Sequence, residues 1–196
     1  AGVPVPLVEA AIMAPDGSLL PADGESQGEL VLRAPWLTQG YFREPEKGAE
    51  LWQHGWLHTG DVATIDDFSF IDIRDRIKDV IKTGGEWISS LELEDLISRH
   101  PAVREVAVVG VVDPQWGERP FALLVLRDGQ SLDAKGLKDH LKPFVEQGSI
   151  NKWAIPTQIA LVTEIPKTSV GKLDKKRIRL DIVQWQAAGS AFLSTL

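Results

Sequence analysis

Three short segments of this 196-residue sequence combine residue types that chemistry needs: His58-Thr59-Gly60-Asp61, the run from Arg74 to Ser89, and Ile165 to Leu173. In the first, read as the end of a loop, an ionised Asp61 beside a glycine offers two acceptor oxygens, which suits a ribose diol. A plain turn with Asp as a local backbone acceptor would use the same residues. In the second, Gly84-Gly85 lets backbone approach a narrow ligand closely, or simply closes a hairpin. The third, Ile165-Pro166-Lys167-Thr168-Ser169-Val170-Gly171-Lys172-Leu173, has the outline of a phosphate-binding P-loop and fails its test. Pro166 stands where the first glycine belongs, and Leu173 replaces the hydroxyl that would hold Mg²⁺. What is left is a mobile Gly-Lys loop ahead of a helix. Its Lys172, a point charge on a flexible stem, suits negative charge developing at phosphate; a surface lysine in a basic patch is the plainer alternative. His54 and His58 are four apart, but Gly55-Trp56 between them indicates a loop, and two histidines alone make a poor metal site. No metal site is expected.

The elements that must position these groups change character along the chain. Residues 1–75 read as short strands (Leu7 to Met13, Glu29 to Arg33, then Val62 to Ile65 against Phe68 to Ile73) separated by Asp-Gly turn chemistry. From Val80 onward, strands and helices alternate. Val80 to Lys82 and Trp87-Ile88 are short strands, and Ser89-Ser90-Leu91-Glu92 is a capping box. The helix behind it turns Leu91, Leu93, Leu96 and Ile97 toward a core. Val103 to Val112 and Phe121 to Arg127 are β-branched apolar strands, Leu132 to Val145 an amphipathic helix, Thr157 to Thr163 a strand and Asp174 to Gln186 a last helix. The expectation is an α+β chain: a short antiparallel β piece over 1–75, a connector at 76–79, and a small α/β domain over 80–196.

Composition bounds the function. With 43% hydrophobic and 25% charged residues the chain is of ordinary globular type. It has no apolar run near the roughly 18 residues of a membrane-spanning helix, and a cytoplasmic protein is expected. The absence of cysteine excludes disulfides and Cys-ligated zinc. Residues 1–77 carry 13 acidic and five basic side chains, whereas 78–196 carry 15 acidic and 16 basic. Lys167, Lys172, Lys175, Lys176, Arg177 and Arg179 crowd around the single acid Asp174, a cationic stretch suited to a polyanion or to a solvated helix face. The acidic whole and the lack of a recognisable motif disfavour nucleic acid. The opening Ala-Gly-Val-Pro reads as the interior of a longer chain.

Taken together and in order, Gly-Glu-Leu (28–30), Gly-Tyr-Phe (40–42), Gly-Trp-Leu-His-Thr-Gly-Asp (55–61), Asp-Arg-Ile-Lys-Asp (75–79), Ile-Lys-Thr-Gly-Gly-Glu-Trp-Ile-Ser (81–89) and Pro-Lys-Thr-Ser-Val-Gly-Lys (166–172) resemble the later core motifs of the adenylate-forming superfamily. The resemblance spans essentially the whole chain. The Lys82 to Ser90 run, Asp-Pro-Gln-Trp-Gly-Glu-Arg-Pro (113–120) and the approach 148–156 are similar to the medium- and long-chain fatty-acyl-CoA synthetase branch.

The resemblance implies a two-step ligase: a carboxylate attacks the α-phosphate of Mg-ATP, giving acyl-adenylate and pyrophosphate, and CoA thiolate then displaces AMP. It implies a small C-terminal domain of the acyl-CoA synthetase type in residues 80–196. By the same resemblance Asp61 binds the ribose hydroxyls, Arg76 assists at ribose or phosphate, and Lys172 serves adenylation. Lys78 is the hinge about which the small domain swings, bringing in the loop of Lys82, Gly84, Gly85, Glu86 and Trp87 for CoA. Lys82 is counted with Lys172 as catalytic. ATP or AMP, CoA and Mg are the implied cofactors, with the magnesium ligands, the phosphate loop and the acyl pocket in an N-terminal domain that this sequence lacks. The chain alone is therefore expected not to turn over, and the rest of the same enzyme is its implied partner. An aryl-CoA synthetase, or a non-catalytic CoA- or nucleotide-binding module, are the alternatives.

Overall fold

The computed structural model describes residues 2–187 and the backbone of residues 193–195. The chain divides into two compact units, Ala1–Lys78 and Asp79–Leu196. No described helix is long and apolar enough to cross a membrane.

The first unit is an antiparallel sheet built from β1 (Glu9–Met13), β2 (Leu19–Leu20), β3 (Gly28–Arg33), β4 (Trp52–Gln53), β5 (Trp56–Ile65) and β6 (Ile71–Arg76), with the short helix α1 (Pro45–Leu51) inserted before β4. The order is β2-β1-β3-β5-β4, and β6 also pairs with β5. Successive side chains on a strand point to opposite faces, and here both faces are covered. Ile12, Leu30, Ala63, Ile65 and Ile71 pack together, while Met13, Val31 and Trp56 form a second cluster. The expected strand Phe68 to Ile73 begins only at Ile71, because Asp66 turns the chain first. Its Oδ1 accepts from the amides of Phe68 (3.0 Å) and Phe70 (2.7 Å), and Ser69 takes a positive φ of 65°. Phe68 and Phe70 consequently lie exposed in that turn.

The second unit contains β7 (Ile81–Thr83), β8 (Glu86–Ile88), α2 (Ser90–Ser98), β9 (Val103–Asp113), β10 (Gly117–Leu126), α3 (Ala134–Glu146), β11 (Gln158–Leu161), α4 (Lys175–Ala187) and β12 (Leu193–Thr195). Its sheet runs β12-β11-β10-β7-β8, with β9 on the other side of β10. The continuous apolar stretches of β9 and β10 follow from burial on both faces. Val108, Ala122 and Leu124 face a core shared with Leu93, Leu96 and Ile97 of α2 and Leu137 and Leu141 of α3. Ala107, Val109, Phe121 and Leu123 face Ile178 and Ile182 of α4. Helices thus cover both sides of a largely antiparallel sheet, whose parallel pair, β10 with β11, is joined through α3.

Capping follows the sequence chemistry. Ser89 Oγ accepts the Glu92 amide at 3.1 Å to start α2, and Asp133 Oδ1 accepts the Gly136 amide at 2.7 Å to start α3. Leu91 departs from expectation: it is 48% exposed. Two residues are about 200° around a helix, so Leu91 lies opposite the Leu93, Leu96 and Ile97 stripe.

Candidate functional site

In the first unit, His58-Thr59-Gly60-Asp61 lies inside β5 and is not the end of a loop. The strand carries a bulge there. Glu29 pairs with Val62 and Val31 with His58, so three residues of β5 stand opposite Leu30 alone. Such bulges re-aim side chains and leave amides unpaired, and those of Gly60 and Asp61 are satisfied here by side chains. Thr59 Oγ1 donates to the Leu30 carbonyl (2.7 Å) and accepts the Asp61 amide (3.1 Å), while Glu29 Oε1 accepts the Gly60 amide (2.9 Å). The other Glu29 oxygen meets His58 Nδ1 at 2.7 Å. Glu29 was quoted in the sequence only as part of Gly-Glu-Leu; its scaffolding role depends on a partner 29 to 31 residues away. His58 Nε2 is buried with no hydrogen-bond partner among the described residues. It stands beside a depression of about 720 Å³ lined by Glu29, Tyr41, Phe42, Lys47, His58 and Gly60.

The bulge places Asp61 directly across from Arg76 on β6, and Asp61 Oδ1 pairs with Arg76 Nε at 2.7 Å. Two residues singled out separately in the sequence are therefore one unit. Arg76 takes one of the carboxylate oxygens, so a diol would share Asp61 with the guanidinium instead of meeting it alone. Lys78, at the end of this unit, is exposed.

In the second unit β7 and β8 form a tight hairpin in the register Ile81↔Ile88, Lys82↔Trp87 and Thr83↔Glu86. Gly84 and Gly85 both have positive φ, 57° and 89°, as the mirror-image two-residue turn demands. Their surroundings differ. A Cβ on Gly84 would come within 3.2 Å of the Trp116 ring, whereas one on Gly85 would meet nothing within 4 Å. One glycine is pressed against an aromatic wall and the other faces open space. Lys82 and Glu86 are exposed, and the Lys82 ammonium lies 5.4 Å from the Trp87 ring centroid. Trp116 in turn packs on Trp153 (centroids 5.1 Å apart), with Lys152 and Arg119 at 4.7 and 5.8 Å from the Trp153 ring. The members of this aromatic and cationic wall come from the segments 113–120 and 148–156; Trp116 and Trp153 stand 37 positions apart, and only folding brings them together.

Lys172 sits on the loop ahead of α4, which closes on itself as a hairpin. Lys167 bridges to Leu173, the Thr168 amide donates to the Lys172 carbonyl (2.7 Å), and the Gly171 amide donates to the Thr168 carbonyl (2.9 Å). Thr168 Oγ1 accepts the Lys172 amide at 3.2 Å, and Gly171 supplies the left-handed corner at φ 80°. The surrounding cationic stretch is mostly committed to internal partners. Lys167 pairs with Glu105 (2.7 Å), Lys175 with Glu94 (2.9 Å), Arg177 with Asp181 (2.8 Å) and Arg179 with Asp79 (3.0 Å). Lys172 and Lys176 are exposed and have no carboxylate partner among the described residues.

The two hairpins of this unit are anchored at opposite ends of one ribbon. The Lys172 hairpin is fastened at Glu105 near the start of β9, and the glycine hairpin at Gly117, which pairs with Asp113 at its end. From Glu105 to Asp113 an extended strand runs roughly 26 Å.

Residues 92–172 match the family described as the AMP-binding enzyme C-terminal domain. A long-chain-fatty-acid–CoA ligase of Thermus thermophilus is 40% identical over 179 residues, 91% of this chain and 32% of that protein. A 3-methylmercaptopropionyl-CoA ligase of Ruegeria lacuscaerulensis is 42% identical over 172 residues, 88% of this chain and 31% of that protein. Among solved structures, ATP-bound MatB from Rhodopseudomonas palustris superposes with a TM-score of 0.78 at 30% identity, covering 92% of this chain and 35% of that one. The chain spans about a third of the length of the curated relatives it matches.

Proposed function

The chain belongs to the AMP-binding, adenylate-forming enzymes whose C-terminal domain it carries, and from that premise we propose that it serves as the C-terminal part of an ATP-dependent fatty-acid:CoA ligase. In the first step a substrate carboxylate oxygen bonds to the α-phosphorus of ATP and pyrophosphate leaves. In the second the CoA thiolate bonds to the acyl carbon and AMP leaves. Lys172 stabilises charge on the attacking and phosphoryl oxygens in the first step. The hairpin of Lys82, Gly84, Gly85, Glu86 and Trp87 admits the thiol arm in the second, with the open side of Gly85 giving the arm room. Asp61 and Arg76, already paired at 2.7 Å, hold the ribose and its phosphate. ATP or AMP and CoA are the small molecules handled. Among the described residues no three His, Asp or Glu side chains gather as a metal set, and the magnesium that accompanies ATP would be held elsewhere in the full-length enzyme. Operation in the cytoplasm is part of the proposal, to be checked by fractionating cells that express the full-length protein.

One observation carries this reading: two glycine-cornered hairpins on the same rigid ribbon, with anchors roughly 26 Å apart. Hairpins anchored at opposite ends of one ribbon are poorly placed to attend the same reacting centre at once, and we read them as taking turns. Rotation of residues 79–196 about Lys78 is the exchange we propose. The test separates the half-reactions in the full-length protein. K172A is expected to slow acyl-adenylate formation on the order of 10²- to 10³-fold while thioester formation from supplied acyl-adenylate stays near wild type. Equal loss in both halves would refute the assignment. The chain by itself is expected to form no AMP from ATP, CoA and medium- or long-chain acids, and robust turnover would overturn that part.

A further inference from the structure

The segment from Asp113 to Pro120 has no part in the chemistry assigned above, yet it holds the paired-glycine hairpin at three points. The Gly84 amide donates to the Trp116 carbonyl (2.9 Å), Thr83 pairs with Gly117, and the Lys82 amide donates to Glu118 Oε2 (2.9 Å). Thr83 with Gly117 is the single register pair between β7 and β10. A strand held by one pair is weakly fixed, and the carboxylate supplies the acceptor that backbone does not. A backbone N–H to an ionised carboxylate is among the stronger hydrogen bonds a protein makes. Glu118 can take this place only because β9 makes room for it: a Cβ on Gly110 would lie 2.8 Å from Oε2 and 3.0 Å from the carboxyl carbon.

We propose that Glu118 is a positioning residue for thioester formation: seated in the notch left by Gly110, it holds the Lys82 amide and so sets where the Gly84-Gly85 turn stands. The inference rests on reading that hairpin as the CoA loop. Glu118 touches no reacting atom in this scheme. Losing it lets β7 shift, and a displacement of the loop by about 1 Å is enough to cost a large factor in rate. Adenylation, served from the other end of the ribbon, does not feel the shift.

The test measures both half-reactions of the full-length protein in E118A, E118Q, G110A and G85V. E118A should lower kcat/KM for CoA on the order of 10- to 100-fold, with adenylation within about threefold of wild type. E118Q retains an oxygen that accepts the same N–H and should recover most of the loss. If the Glu118 charge acted on the CoA phosphates directly, E118Q would behave like E118A, which would overturn the positioning role. Where E118A does not fold, G110A pushes a methyl group onto the same carboxylate and should give the same split, with intact adenylation reporting the fold. A CoA step at wild-type rate in E118A or G110A, or equal loss in both half-reactions, overturns the inference. G85V separates the two levels of failure. If it too spares thioester formation, the CoA-loop reading falls and this inference with it; if it cripples that step while E118A does not, only the role of Glu118 falls.

Discussion

The two hairpins of the second unit solve the same problem by different means. Each presents a short turn cornered by left-handed glycine, at Gly84 and Gly85 in one and at Gly171 in the other. The glycine hairpin is held by backbone amides, the Glu118 acceptor and the Trp116 ring. The Lys172 hairpin, closed by its own hydrogen bonds, is tied to the rest of the unit by charge. Lys167 meets Glu105 before the turn, and behind it Lys175 is 9% exposed, with its ammonium 2.9 Å from Glu94 and 2.7 Å from Ser90 Oγ. The difference teaches that the cationic stretch is chiefly scaffolding, in which paired lysines hold Lys172 out toward solvent. Ion pairs answer to salt, pH and the removal of a partner, whereas hydrogen bonds to backbone and ring contacts answer to shape.

The largest expected effect lies at the buried pair. Glu94 Oε1 also accepts the Val108 amide at 2.8 Å, so one carboxylate joins α2, β9 and α4. E94A strands the Lys175 ammonium inside the protein and should destabilise the second unit by about 3–5 kcal/mol, read from urea unfolding. Replacing both partners together, as in E94L/K175M, should cost much less, because no uncompensated charge is left. E118A removes a single acceptor from a backbone amide and should cost about 1–3 kcal/mol. An E94A variant no less stable than E118A would break the contrast.

Smaller effects distinguish the glycines. Alanine at a left-handed position costs about 1–2 kcal/mol for its backbone alone. G85A and G171A should pay that and no more, since an added Cβ meets nothing within 4 Å at either site. G84A should pay more, because its Cβ would also sit 3.2 Å from Trp116. Thermal unfolding should therefore rank G84A as the least stable of the three. Equal losses would mean that the Trp116 wall yields freely, and the contrast between a shape-held and a charge-held hairpin would weaken.

What could be read from the sequence follows how local the cause is. The apolar runs of β9 and β10 and the cap at Ser89 rest on neighbours within a few residues, and they are where the sequence places them; the cap at Asp133 is equally local, one residue inside the stretch read as helix. Leu91 is the exception: although apolar and at a helix start, it stands about 200° around the helix from Leu93 and is exposed. The bulge at Thr59 to Asp61 was invisible for a different reason. A bulge is a property of a pairing, and its partner strand lies 29 to 31 residues upstream. The same holds for Lys175 with Ser90, 85 residues apart, and for Lys82 with Glu118, 36 apart. Pairing decided which lysines of the basic stretch were committed, and composition could not. The resemblance to adenylate-forming enzymes was legible because its motifs are contiguous, and the belonging it implied is borne out by relatives 40% and 42% identical.

The smallest effect belongs to Lys167 and Glu105, and it tests the charge-held hairpin most directly. Both side chains are substantially exposed, 46% and 35%, so the pair is worth roughly 0.5 kcal/mol or less to stability. The Lys167 hydrogen bond, opposed by desolvation and aided by the charges of Lys167 and Arg104, holds the Glu105 carboxyl below its usual value. The folded chain therefore binds a proton at Glu105 less readily than the unfolded chain does. The contribution is complete above the ordinary carboxylate range and is lost as pH falls through the depressed folded value. The stability difference between wild type and E105Q should be small at neutral pH, should shrink further in molar salt, and should vanish in acid. In the full-length protein E105Q, leaving Lys167 without its anchor, should slow adenylation by no more than a few fold and spare the CoA step. A larger loss in the CoA step than in adenylation would place Glu105 with the wrong hairpin, and the division of the ribbon into two ends would have to be redrawn.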